Sequence, residues 1–204
     1  TSELPRDLLI NYYQTYSSFW GHYSISVANN LYGKQQAAYQ DSLFALIDHT
    51  SWDYRMSQAS YYIWRDTLKS KEIFKELLEI EEVGTPNYAM ITHSYSRLCH
   101  HQKKYDEEKK YLMLSAIADT RNATRENASL QSLALIAYDE QNLADAFKFT
   151  QSAIDDVISS GIHFRAMEIY KFYSIINTAY QTEEARSKSN LITFLISTSI
   201  FQVK

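Results

Sequence analysis

Glycine and proline are scarce in this chain, with 4 and 2 among 204 residues. In a helix interior glycine costs about 1 kcal/mol and proline about 3 relative to alanine, so long runs without either residue favour helices. The shortage predicts an all-α protein. It also argues against a glycine-rich loop that holds a phosphate.

Cysteine is nearly absent as well, because Cys99 is the one thiol. A single cysteine excludes an internal disulfide and leaves the redox compartment open. Cys99 occupies a small-residue position of the repeat described below, where we expect a buried, inert thiol. A reactive cysteine would need an exposed, electropositive setting.

Long Lys/Arg runs are missing, and the formal charge is -4. Phosphate-backbone binding depends on clustered positive charge, so a nucleic-acid partner is not expected. Motifs for catalysis are missing too: there is no His-Glu-x-x-His, no Gly-x-Ser-x-Gly and no paired-cysteine metal spacing. The sequence therefore predicts no enzyme, no cofactor and no metal site.

What the chain does contain is an internal match at a fixed offset of 38 residues, which places Ser96–Ala116 on Ala134–Ile154. Small residues meet small ones, as Cys99 meets Ala137. A period of this length in helical sequence predicts stacked helical hairpins, because one hairpin cannot bury its apolar face alone. Five hairpins fit the length, in a single domain over residues 1–204.

Ten helical segments follow from the apolar spacing and the breakers. Gly33 is expected to end the first segment, and Gly84-Thr85-Pro86 to separate two helices, with Thr85 as cap and Pro86 in the first turn. The segments are Asp7–Leu31, Gln36–His49, Trp52–Arg65, Ser70–Glu81, Asn87–His101, Tyr105–Asp119, Arg125–Glu140, Leu143–Ser160, His163–Tyr180 and Glu183 to the end.

Both copies resemble the tetratricopeptide repeat, an α-α superhelix (solenoid). Helix A carries a large-small pair and helix B opens on a large residue, as in Tyr95-Ser96 with Tyr105 and in Leu133-Ala134 with Leu143. Three residues depart from the pattern. Lys103 and Gln141 replace the usual turn glycine, and Glu108 stands where a small residue is usual.

A narrower resemblance covers residues 112–119, 126–131 and 146–150, which are similar to a family of tetratricopeptide regulators from Bacteroidetes. That family implies a signal peptide, an extracytoplasmic repeat domain, a transmembrane helix, a coiled coil and a cytoplasmic regulatory region. Residues 191–201 resemble the point where the family enters its membrane span. Eleven mostly apolar residues are too few to cross a bilayer, so the tail 191–204 is either the start of an anchor or a capping helix.

The repeat resemblance also implies a concave groove lined by the A helices, which suits a protein, a peptide or a small polar ligand. The alternative for its histidines is a solvated face, and metal binding is disfavoured because Arg97 lies among them. The implied groove residues are His93, Arg97, His100 and His101 in one copy, Gln131, Leu135, Tyr138 and Asp139 in the next, and Tyr170, Ser174 and Asn177 in the last hairpin.

Together these features predict a non-enzymatic sensor domain of a membrane-anchored regulator, on the periplasmic face of the inner membrane. The alternative is a cytoplasmic tetratricopeptide adaptor or peptide-responsive regulator. A third class, a hydrolase in a degenerate helical fold, would depend on His100 and His101.

Overall fold

The computed structural model describes residues 5–26, 33–124, 128–160 and 163–202. These ranges contain nine helices and no strand, which confirms the all-α, tetratricopeptide-like fold class. The helices are α1 Arg6–Ser26, α2 Gly33–Leu46, α3 Trp52–Tyr62, α4 Thr67–Ile80, α5 Pro86–His101, α6 Tyr105–Arg121, α7 Ala128–Asp139, α8 Leu143–Ser160 and α9 His163–Gln202.

Several helix starts are explained by caps in the sequence. The Tyr88 amide donates to Thr85 Oγ1 at 3.1 Å, and Pro86 occupies the first turn of α5, as predicted. Helix α4 begins three residues before the predicted Ser70, because the Asp66 carboxylate accepts from the Lys69 amide at 3.1 Å. An aspartate before a helical run is a readable cap that the prediction overlooked.

Two further differences from the predicted boundaries concern Gly33 and the last helix. Gly33 opens α2 instead of ending the segment before it, and the predicted end at Leu31 lies outside the described residues. Helix α9 continues for 40 residues through the predicted break between Tyr180 and Glu183. No glycine or proline interrupts it, so the tenth predicted segment is the second part of the ninth helix. The predicted start of α7 at Arg125 also lies outside the described residues.

The chain contacts divide into two compact units, Thr1–Ile73 and Phe74–Lys204. In the first, Leu43, Ile63 and Ala59 are buried, and Ser70 Oγ donates to the Ala59 carbonyl at 2.8 Å. The single domain expected from the sequence stays a prediction.

A tyrosine cluster lies on α1 and α2 in the first unit. The rings of Tyr12 and Tyr16 are 4.5 Å apart, and Tyr16 stacks on Tyr39 at 5.4 Å. Tyr12 and Tyr16 remain exposed. The cluster thus serves partly as packing between α1 and α2.

In the second unit the core follows the repeat. Leu112 and Ala116 of α6 pack with Leu133 of α7. Farther along, Ala134 and Ala137 of α7 pack with Ala146 of α8 and Ile176 of α9; Tyr138, Phe147 and Phe149 cover this cluster. Cys99 is buried, as predicted.

The 38-residue offset is reproduced in the backbone of the two turns. Lys103 and Gln141 both adopt the left-handed conformation, with φ of 59° and 61°. The Lys104 amide donates to the Cys99 carbonyl at 2.9 Å, and the Asn142 amide donates to the Ala137 carbonyl at 2.8 Å. These are the long bonds of a Schellman helix end. The two residues therefore do occupy the place of the turn glycine.

Candidate functional site

The first predicted groove set lies on one side of α5. His93 is half-buried, while Arg97 and His101 are exposed. Met90, which is 51% exposed, extends the same face by spacings of three and four residues. The prediction missed Met90, although its spacing from His93 was readable.

His100 is engaged with α6. Its Nδ1 lies 2.9 and 3.1 Å from the two carboxylate oxygens of Glu108. The Glu108 side chain is 12% exposed and that of His100 is 62% exposed. This pair explains the departure from the repeat pattern, because a nearly buried carboxylate needs a hydrogen-bond donor. His100 is therefore less available to a partner than its position suggested.

Arg97 combines exposure with desolvation. Its side chain is open to solvent, yet desolvation by the surrounding protein lowers the pKa of the guanidinium. Water reaches this side chain, but protein atoms lie around it. Within the described part of the chain it forms neither a hydrogen bond nor an ion pair. On helix α6, Glu108 pairs with His100, and the Glu107 carboxylate lies 3.8 Å from the Lys104 ammonium.

The second set lies on α7 and has a more structural character. Gln131, Leu135 and Tyr138 are half-buried, and Tyr138 packs on the cluster around Ala137. Asp139 is exposed. Tyr138 thus contributes to the core as well as to the surface.

The third set lies on α9. Tyr170 and Ser174 are exposed and Asn177 is half-buried, beside the buried Ile176. Arg97, Asp139 and Asn177, one from each set, make no hydrogen bond or ion pair with one another in the described ranges. The three sets lie on α5, α7 and α9, the A helices of the repeat frame.

A polar network that the sequence did not reveal lies among the helices of the second unit. Ser129 Oγ of α7 donates to Ser115 Oγ of α6 at 2.8 Å, and Ser115 Oγ donates to the Ala89 carbonyl of α5 at 3.0 Å. One turn after Ser115, desolvation and then the charge of Asp156 raise the pKa of Asp119 to about 6.

Neither a metal-ligand group nor a membrane-crossing helix is found in the described residues. No cluster of three or more histidine, cysteine, aspartate or glutamate side chains there could hold a metal ion. None of the helices in those ranges has both the length and the hydropathy needed to cross a bilayer.

Comparison with known proteins decides the family. The family model described as the SusR N-terminal TPR domain matches residues 1–171. The chain belongs to this family. The SusR-type domain accounts for α1 to α8 and the start of α9, and the resemblance to Bacteroidetes repeat regulators is confirmed at this level. Searches of curated proteins and of solved structures each gave no match.

Tetratricopeptide domains are typically non-catalytic modules for protein interaction, so membership implies a protein-binding role in general. The groove residues named above stay predictions.

Proposed function

We propose that this SusR-type domain is the periplasmic sensor of a membrane-anchored transcriptional regulator, without enzymatic activity. It binds a protein, a peptide or a small polar ligand along the A helices α5, α7 and α9. The conformational change on binding is transmitted along α9 to a membrane anchor that begins near Leu191.

The observation that carries this proposal is the continuity of α9. At Ile176 the helix is packed on Ala134, Ala137 and Ala146. The same helix continues without a break to residues 191–196, where every large apolar side chain is more than half exposed: Leu191, Ile192, Phe194, Leu195 and Ile196. A shift of the packed part must therefore displace the exposed part.

The apolar residues of this tail cover too much of the helix for one packing face. At 3.6 residues per turn, positions 191 to 196 spread over roughly 200° of the circumference. A helix that is apolar on most sides needs an apolar environment around it, and a bilayer offers one. Residues 181–190 before the tail are polar except for Ala185 and exposed except for the half-buried Glu184, which suits a stretch between repeat and lipid.

Fractionation of the native gene product in its own cells tests the proposal. We expect the protein to stay in alkali-washed membranes, and a protease added to intact spheroplasts to digest the repeat domain. An adaptor in the cytoplasm would be recovered in the soluble fraction and protected from the protease, and that outcome would contradict the proposal.

A variant pair refines the same experiment. Ile192→Lys with Leu195→Lys should weaken membrane retention, because charges are costly in the hydrocarbon core. Leu68→Lys, at an apolar side chain that is 72% exposed in the first unit, is the matched control and should leave retention unchanged. Equal retention of both variants would count against an anchor that begins near Leu191.

A further inference from the structure

The chemistry of the partner can be narrowed from the surroundings of Arg97. A guanidinium that is partly stripped of water is stabilised by an anion, and in proteins the usual anion is a carboxylate. In the described part of the chain Arg97 has no such partner, and Glu108 and Glu107 of the neighbouring helix α6 are paired with His100 and Lys104. The missing anion can come from a bound molecule.

The surface around Arg97 has a definite length. Met90, His93, Arg97 and His101 follow one another at spacings of three, four and four residues, and so share one face of α5. From Met90 to His101 this stripe measures about 16 Å at 1.5 Å per residue. An extended peptide rises about 3.3 Å per residue, so the stripe matches a segment of about five residues.

We propose that the α5 stripe binds a short extended segment of a partner protein, and that an aspartate or glutamate side chain of this segment pairs with Arg97. An apolar side chain of the same segment contacts Met90. This proposal rests on the proposed function and adds the charge and the length of what is bound.

Geometry suits a side-chain carboxylate within the bound segment. One guanidinium presents two parallel N–H groups, which fit the two oxygens of a carboxylate. The stripe continues for seven residues before Arg97 and four after it, so the bound chain extends in both directions, as it would on either side of an internal acidic residue.

To test this inference, the 204-residue chain is used to probe an array of random hexapeptides. The peptides are acetylated and amidated, so that only their side chains are charged. We expect the retained peptides to be enriched in Asp and Glu. Replacing the acidic residue of the best peptide by its amide should weaken binding roughly 10- to 100-fold, the range for a hydrogen bond to a charged group.

Variants locate the effect. Arg97→Ala should remove the acidic preference, and on this background the amide peptide should bind as well as the acidic one. Arg97→Lys should keep part of the preference for acidic peptides, because lysine retains the positive charge but lacks the two parallel N–H groups of the guanidinium. Lys148→Ala, at a side chain 76% exposed on α8, is the control and should behave as wild type. If Arg97→Ala fails to fold, two measurements still test the inference. They are the binding of the acidic and the amide peptide to the wild type, and the binding of the same two peptides to Arg97→Lys.

The possible failures are distinct. Retention of no peptide would contradict the peptide form of the proposed function together with this inference. Retention without acidic enrichment, or with an enrichment that Arg97→Ala does not change, would overturn this inference alone. A stronger preference for phosphorylated peptides in a matched array would overturn it as well.

Discussion

In the hairpin α5–α6 the carboxylate of Glu108 lies between the helices and is paired with His100. In the hairpin α7–α8 the corresponding residue is Ala146, fully buried against Ala134 and Ala137. The backbone turns at the ends of α5 and α7 are nevertheless the same, with matching left-handed residues and matching hydrogen bonds. The repeat therefore maintains its turn while the contents of the hairpin change.

The difference shows what this fold requires of each copy. Small residues at the contact between helices A and B set how closely the helices approach, as at Cys99 and Ala137. On helix B, the position held by Glu108 in one copy and Ala146 in the other accepts either a small residue or a carboxylate that has its own hydrogen-bond donor. A residue that departs from the repeat pattern, such as Glu108, is thus tolerated when the residue that contacts it, here His100, differs as well.

Placing the first copy's carboxylate in the second is the strongest way to break this comparison. Ala146→Glu buries a charge where Tyr138 replaces the histidine donor, so we expect a loss of about 3 to 5 kcal/mol in the free energy of unfolding by urea. Glu108→Ala, which makes the first copy resemble the second, should cost no more than about 1 kcal/mol.

The double variant Ala146→Glu with Tyr138→His tests the cause. It should recover part of the loss, because it rebuilds the pair seen at His100 and Glu108. If the double variant is no more stable than Ala146→Glu alone, steric overpacking and not the unpaired charge explains the loss.

A smaller difference between the copies depends on pH. Asp119 of the first copy, with Val157 in the corresponding place, has a folded-state pKa of about 6, above that of an unfolded aspartate. The folded state therefore binds the proton more tightly, and stability falls as pH rises from about 4 through 6. The side chain is only partly buried, so we expect a loss of about 1 kcal/mol after solvent screening.

Asp119→Asn should remove this loss. Its unfolding free energy relative to wild type should rise by about 1 kcal/mol between pH 4 and pH 7.5. Asp139→Asn, at an exposed position, is the control and should follow the wild-type pH profile. A difference between wild type and Asp119→Asn that does not change with pH would contradict the assignment.

The smallest expected effect sharpens the similarity of the two turns. Lys103→Gly and Gln141→Gly should each stabilise the protein by about 0.5 to 1 kcal/mol, since glycine adopts the left-handed conformation without strain. Thermal unfolding measures both. Lys110→Gly, in the interior of α6, should instead destabilise by about 1 kcal/mol. Unequal gains at the two turns would show that the copies differ in backbone strain.

Features determined by nearby residues were readable from the sequence. The cap Thr85 with Pro86, the small residues of the repeat and the unusual turn residues Lys103 and Gln141 all occur where the pattern placed them. Their causes are local: a hydroxyl that meets a helix amide, a missing side chain, a hydrogen bond across one turn.

Features that depend on distant partners were not readable. The spacing indicates that His100 faces outward. It does not indicate that the Glu108 carboxylate on the next helix lies within hydrogen-bond distance of His100 Nδ1. The charge of Asp156 on α8 raises the pKa of Asp119 on α6, and this electrostatic effect exists only once the hairpins stack. The spacing predicts a break between Tyr180 and Glu183, yet α9 continues through it without interruption.

The hydroxyl of Ser115 has a consequence for how such domains can be rearranged. It donates to the Ala89 carbonyl and accepts from Ser129, so the seam from α5 through α6 to α7 is held by polar atoms that fit one neighbour. The corresponding residue, Ala153, makes an apolar contact with Leu130 and Ile154. Exchanging or duplicating whole hairpins would separate Ser129 from Ser115, its partner in the preceding hairpin, so chemistry helps to fix the order of these two hairpins.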